Sequence, residues 1–349
     1  MFNNCSVFSG TFFSQETKIK MQNVSCNRIP ESVIRTRNDK CNGSNNTLAE
    51  IGFQIEKTKF LTMIDICFDQ TNYRTVYIKH TVYPEVNVRQ ITNGVSFRNA
   101  ETFLFENLGD RPGSLYKCTE QKATLLKLLG SEDIASKYIS CRKGGTRLVK
   151  GHLSPNADFI FSYQQNATYY HSNAAPQWQF FNNRNWKALE KRIRSHVQYT
   201  DQEHHVFTGT SKTPTFLEDN NNNIVLIHLS ADNDKMPAPL YYWKILFHPK
   251  TMSGIGFIGY NLHFNQSLQS FKIPHLGSIC SEKLWFKESE INLEKGLIYC
   301  SEVKDLISII DFKDFKHIVK NVIEFKSRNI PRETPIDEIH NLTLMDLGI

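Results

Sequence analysis

The apolar positions change their period several times along the chain, and each change predicts an element. Phe60 to Phe68 is a strand-like apolar run, and Tyr73 to Ile78 can pair with it across the turn Asp69-Gln70-Thr71-Asn72. Gln121 to Leu129 is short, apolar-periodic and closed by Gly130, which predicts a helix with a glycine stop. Phe159 to Tyr163, His205 to Thr208, Ile224 to Leu229, Tyr241 to Phe247 and Ile255 to Tyr260 read as strands, so the second half is β-rich. The longest helix is expected over Trp186 to Val197. Trp186, Leu189, Ile193 and Val197 fall at i, i+3, i+7 and i+11, one stripe whose ordinary meaning is core packing. A last helix is expected from about Phe312 to Phe325. The run Asn220 to Asn223 reads as an exposed loop tip, and no internal repeat is present.

Composition adds the compartment. The chain has 349 residues, with 40% hydrophobic and 22% charged, so a core of ordinary size can be buried. No run of ~18 apolar residues occurs, and no spanning helix is expected. The eight cysteines (Cys5, Cys26, Cys41, Cys67, Cys118, Cys141, Cys280 and Cys300) contain no CxxC pair. That argues against a zinc ribbon or a thioredoxin-type site. An even, scattered set suits four disulfides and an oxidising compartment; eight free thiols in a cytosolic protein are the alternative. Cys280 and Cys300 enclose nineteen residues of the β-rich region and are expected to be partners. Sequons at Asn4, Asn23, Asn42, Asn45, Asn166, Asn265 and Asn341 fit a secreted glycoprotein. The opening Met1-Phe2-Asn3-Asn4-Cys5 shows no signal-peptide pattern. The net charge of +6 is compatible with a polyanionic partner and does not identify one.

The chemistry is concentrated in two segments. One is Arg147-Leu148-Val149-Lys150-Gly151-His152-Leu153-Ser154-Pro155-Asn156-Ala157-Asp158-Phe159. The other runs Asn173-Ala174-Ala175-Pro176-Gln177-Trp178-Gln179-Phe180-Phe181-Asn182-Asn183-Arg184-Asn185-Trp186-Lys187-Ala188-Leu189-Glu190. Together they resemble the DNA/RNA non-specific endonuclease family of the ββα-metal superfamily. Its signature is a strand ending in Arg-Gly-His, then Asn-x-x-Pro-Gln, an Asn, and a Trp-x-x-Leu/Val-Glu helix. The phrasing here is most similar to the insect branch of double-stranded-RNA nucleases and salivary nucleic-acid-binding proteins. Weaker likeness runs from about residue 50 to residue 325, and includes His205 to Thr210 and Tyr242-Trp243-Lys244.

The resemblance implies an α/β (α+β) fold: a mixed, largely antiparallel sheet with helices on both faces and a ββα-metal core. Residues 1–47 are then a Cys/Asn-rich extension, 48–328 the endonuclease domain and 329–349 a tail. It also implies roles. Hydrolysing a phosphodiester needs water deprotonated near neutral pH, which histidine can do, and a hard cation beside the phosphate oxygens. His152 is the implied general base and the Asn182 amide oxygen the implied magnesium ligand, with manganese as a substitute. Glu190 holds metal-bound water, Lys150 and Arg194 brace the scissile phosphate, and Asn173 orients the site. Each has a plainer alternative. His152 can be a loop histidine, Asn182 a helix cap, and Glu190 with Arg194 a surface i,i+4 ion pair. The adjacent His204 and His205 alternate faces on a strand and receive no role.

Two departures bear on vigour. The family usually has Arg where Lys150 stands, and Lys lacks the planar two-pronged fork that suits phosphate. Many members carry Asp where Val149 stands. The expected function is magnesium-dependent cleavage of DNA and RNA to 5′-phosphate ends, with little base selectivity because phosphate and sugar contacts carry no base information. A secreted protein of the same fold that binds nucleic acid and cuts it weakly is the competing reading. A cytosolic or mitochondrial nuclease is a third. The oligomeric state, a homodimer included, is left open, and no membrane partner is expected.

Overall fold

The computed structural model describes residues 30–314 apart from 44, 56, 92–93, 99, 231–233, 267–277 and 311, together with the strand segments 5–7, 24–26 and 323–324. Its centre is a large antiparallel sheet. In chain order its strands are β1 (Val33–Cys41), β2 (Asn46–Gln54), β3 (Phe60–Asp69) and β4 (Arg74–Val82), then, after a hairpin described below, β7 (His204–Thr210), β8 (Tyr241–His248), β9 (Ser253–Tyr260) and β10 (Ile298–Ser301). The spatial order is β10-β9-β8-β7-β4-β3-β2-β1, and Ile323–Glu324 joins β9 in parallel. The hairpin is β5 (Leu148–His152) with β6 (Ala174–Trp178). The helices are α1 (Cys118–Leu129), α2 (Glu132–Tyr138), α3 (Lys187–Thr200) and α4 (Val303–Ile309).

Strand alternation sorts the core into two faces. Tyr242 and Leu246 of β8 point into one cluster with Trp186, Leu189, Ile193 and Val197 around α3, all four at most 1% exposed. Trp243, Ile245 and Phe247 point the other way, onto Val303 and Leu306 of α4 and onto Phe312. Each such aliphatic side chain withdrawn from water contributes about 1.5–3 kcal/mol, so the apolar stripe on α3 fixes the helix against the sheet. Helices on both faces of a largely antiparallel sheet are the α+β arrangement that was expected. Gly209 is required where β7 crosses Trp243: a Cβ there would lie 2.2 Å from the indole ring.

Several expectations are met closely. β3 and β4 pair antiparallel, α1 ends at Gly130 with φ 69°, and Cys280 is bonded to Cys300. Cys41–Cys67 and Cys118–Cys141 are also bonded, and no described cysteine is free.

Four expectations are corrected. Residues 33–41, expected in an irregular extension, form the edge strand β1, because Arg35 pairs with Glu50 of β2 at 2.7 Å and Cys41 is tied to β3. Phe159 to Tyr163 is not a strand. Gln165 Nε2 donates to the Phe159 carbonyl and Gln164 Oε1 accepts from Phe161 N–H, so side chains take the backbone partners a strand would supply, and a helical turn follows at Ser162–Asn166. Ile224 to Leu229 divides at Ile227 into Ile224–Leu226, paired with Phe216–Glu218, and His228–Ser230, paired with Lys235–Pro237. The last helix among the described residues is α4, which ends at Ile309. Residues 312–314 and 323–324 are not helical, and the rest of the expected span lies outside the described residues.

Candidate active site

The site is built where the β5–β6 hairpin meets α3 over the sheet. Lys150, Gly151 and His152 of β5 lie opposite Pro176, Ala175 and Ala174 of β6. Gly151 is needed for that approach, since a Cβ there would stand 2.1 Å from Gln177 Oε1. Asn173 is fully buried, and its amide is spent on the loop after His152. Oδ1 accepts from Ser154 N–H at 3.0 Å, while Nδ2 donates to the carbonyls of Ser154 (2.9 Å) and Thr168 (2.8 Å). Its own carbonyl accepts from Leu153 N–H at 3.0 Å. Asn173 therefore sets the loop that leads out of the histidine.

The His152 ring is packed among rings. Its centroid is 4.9 Å from Phe97 and 5.0 Å from Tyr169. Nε2 is enclosed, with no hydrogen-bond partner among the described residues. Burial disfavours the charged imidazolium and pushes its pKa down to about 4, so the ring is neutral at physiological pH. Lys150 Nζ lies 5.1 Å from the Phe97 centroid and 5.3 Å from that of Tyr116, and burial lowers its pKa.

The second wall is the helix. Asn182 opens a π-helical turn, Asn182–Trp186, that runs directly into α3. Wide turns of this kind recur at functional sites because they re-aim one side chain without ending the helix. Asn182 Nδ2 donates to Asn183 Oδ1 at 3.2 Å, which leaves the amide oxygen with no protein donor among the described residues. Asn182, Trp186, Glu190 and Arg194 recur every fourth residue, so they run along neighbouring faces of the helix. No ion pair to Glu190 forms within 4 Å among the described residues. Burial pushes its carboxyl up, against the pull of Lys244 and Arg194. The i,i+4 pair with Arg194 does not form: Arg194 Nη1 instead donates to Asp158 Oδ1 at 2.7 Å.

Polar residues of the sheet, Lys244 and His80, and Asp158 of the turn Asn156–Asp158 complete the wall, and the sequence reading missed them. Lys244, 1% exposed, donates from Nζ to the Leu153 carbonyl (3.0 Å) and to Thr208 Oγ1 (2.6 Å), and lies 5.3 Å from the Trp186 ring. Burial lowers its pKa while Glu190 raises it. Asp158 also accepts from His80 Nε2 at 2.9 Å. Burial works against its charge, but His80 and Arg194 prevail and hold the carboxyl below the usual range. A signal existed for two of these. Asp158 lies inside the quoted histidine segment, and Lys244 is a lone charge in the apolar run Tyr241 to Phe247. His80 and Phe97 carry no local signal.

The donor set suits a hard cation: a half-buried carboxyl with no ion pair within 4 Å among the described residues and an amide oxygen lacking a donor there are oxygen ligands of the kind magnesium takes. No cluster of three His, Cys, Asp or Glu side chains occurs among the described residues, so a zinc-type cage is not formed there.

A neutral histidine, a helix-borne carboxylate and buried cations are groups fit for hydrolysis, and comparison with known proteins defines the class as an endonuclease. Residues 44–306 match the DNA/RNA non-specific endonuclease family, and the chain belongs to it. It is 25% identical over 324 residues to the salivary endonuclease of Lutzomyia longipalpis, covering 90% of this chain and 74% of that one. It is 21% identical over 307 residues to salivary protein Tsal2A of Glossina morsitans morsitans, covering 85% and 72%. Among solved structures, the EndoG/EndoGI complex aligns with 69% of this chain and 87% of the matched one, at 13% identity and a TM-score of 0.35.

Proposed function

We propose that this endonuclease cleaves both DNA and RNA with magnesium, manganese substituting, and leaves 5′-phosphate ends. The observation that carries the reading is Glu190: a half-buried carboxyl about two helical turns after Asn182, with no ion-pair partner within 4 Å among the described residues. Asn182 Oδ1 would hold the ion and Glu190 its bound water. The ion, when bound, supplies charge stabilisation to the phosphate and to the departing 3′ oxygen.

His152 does the proton work. With Nε2 enclosed, Nδ1 is the nitrogen left to solvent, so the neutral ring presents the Nδ1 lone pair to an attacking water. The hydroxide adds to phosphorus, the bond to the 3′ oxygen breaks, and the phosphate stays on the 5′ side. Lys150 and Arg194 are the cations offered to the phosphate, Arg194 being held in place by Asp158. Asn173 acts indirectly, through the loop it fixes.

Secretion is part of the same proposal, supported by three disulfides and by two relatives whose names are salivary. The test is degradation of plasmid DNA and of double-stranded RNA with magnesium and with EDTA. Both substrates should be cut with magnesium only, and His152→Ala should lose about two to three orders of magnitude while still binding. Cleavage undiminished by EDTA, or a His152→Ala protein as fast as wild type, overturns it.

A further inference from the structure

A catalytic histidine is ordinarily oriented by a hydrogen bond from its second nitrogen to a third group. Here that nitrogen, His152 Nε2, is buried with no hydrogen-bond partner among the described residues. What surrounds the ring instead is aromatic. His152, Phe97 and Tyr169 form a triangle with centroid distances of 4.9, 5.0 and 5.4 Å, Tyr169 meeting the imidazole edge-on at 82°. Of these three rings only Phe97 also approaches the second functional group on β5, lying 5.1 Å from Lys150 Nζ, which Tyr116 flanks at 5.3 Å. It packs on His171 as well, at 5.4 Å.

Phe97 comes from a segment far from both motifs, and its neighbour is anchored firmly. Arg98 N–H donates to the Tyr169 carbonyl at 2.9 Å, the Arg98 carbonyl accepts from His171 Nδ1 at 2.8 Å, and Arg98 Nη1 donates to Ser32 Oγ at 2.9 Å. Tyr169 is held in turn, its hydroxyl accepting from Asn156 Nδ2 at 3.2 Å. Both rings are thus fixed to the two segments that bear the histidine and the Asn-x-x-Pro-Gln run.

We propose that Phe97 is a positioning residue which, with Tyr169, sets the plane of the His152 ring and keeps Lys150 beside it, replacing the hydrogen-bonded orienting group. The inference rests on His152 being the base. The flat faces restrict ring rotation, and their apolar surface keeps water from the Nε2 side. The cation of Lys150 is attracted to the face of the same ring. One aromatic residue therefore holds base and cation in a fixed relation.

The experiment compares wild type with Phe97→Ala, Phe97→Leu and Phe97→Tyr. His152 is titrated by NMR in the metal-free protein without nucleic acid, and kcat and KM are measured separately with magnesium. In Phe97→Ala the His152 titration should move up towards an ordinary imidazole, and kcat should fall about 10–100-fold with KM little changed. Phe97→Tyr, which keeps the ring, should restore both. Should the Ala protein fail to fold, Phe97→Leu keeps apolar bulk without a flat face and should show the same kcat loss. An unmoved His152 titration together with wild-type kcat overturns the proposal. A fully active His152→Ala protein would instead defeat the base assignment, and the NMR titration would still judge the clamp.

Discussion

Lys244 Nζ donates to the carbonyl of Leu153 at 3.0 Å, which ties the residue after His152 to the centre of the sheet. Lys244 also sits 5.3 Å from the Trp186 ring and exerts its charge on Glu190, so one buried cation links the hairpin to the helix. Replacing it with methionine keeps length and packing but removes the donor and the charge. Lys244→Met should therefore lower kcat about 10–100-fold, as losing such a supporting partner does elsewhere. Stability should fall by about 1–3 kcal/mol, because the Leu153 carbonyl and the Thr208 hydroxyl lose their buried donor. Wild-type turnover in this variant would show that the tether is irrelevant to catalysis.

Lys150 occupies the position where the family carries Arg. Its Nζ lies over Phe97 and Tyr116, two faces on which a guanidinium can also stack. Arg would add a second parallel hydrogen bond to phosphate as the transition state gains charge. Lys150→Arg should raise the cleavage rate several-fold, equivalent to about 1 kcal/mol. Affinity and its salt slope should stay the same, since the number of neutralised phosphates is unchanged. A slower Arg variant would remove Lys150 from the phosphate.

The Cys280–Cys300 bond spans a sequence separation of 20 and joins β10 to the segment that carries Trp285. Closing a loop of that length restricts the unfolded chain by about 3 kcal/mol in the entropy account. The double variant Cys280→Ser/Cys300→Ser should lose about that much in urea titration of the oxidised protein. An unchanged midpoint would mean the loop is held by its packing alone.

Acid should unfold the protein through its buried histidines. His204 lies 4.8 Å from His248 and 5.4 Å from His196, ring to ring. Burial pushes His204 down to about 4 and His196 to about 3, with the neighbouring imidazoles acting in the same direction. In the unfolded chain such groups titrate near 6.5. The folded pKa is the lower one, so the stability they contribute is fully present above about 6.5 and is lost as pH falls towards 4. His204, fully buried, should cost about 1 kcal/mol for each pH unit in that window. Urea midpoints at pH 7 and pH 5 measure this, and a flat stability between them would contradict it.

The parts of the fold legible in the sequence are those set by short-range periodicity. The Trp186, Leu189, Ile193 and Val197 stripe marks α3, and the Asp69 to Asn72 turn marks the β3–β4 hairpin, because each signal lies within one element. Phe159 to Tyr163 has the composition of a strand and is bent instead. Gln164 and Gln165 bond its backbone, and Gln90, some seventy residues away, bonds the turn that follows, its Oε1 accepting from Ser162 N–H at 2.6 Å. The site divides in the same way.

By itself, the sequence determined the β5 histidine segment, the helix from Trp186 that carries Glu190, the family and one disulfide, since motif order and helical spacing are local properties of the chain. Tertiary structure alone decided that Arg194 pairs with Asp158 rather than Glu190, that Lys244 bridges hairpin and helix, and that Phe97 packs on His152. Those contacts join residues separated by 36, 91 and 55 positions. No periodicity reaches so far. They exist because burying both faces of one large sheet brings distant side chains together, and buried charges such as Arg194 and Lys244 then gain partners out of water.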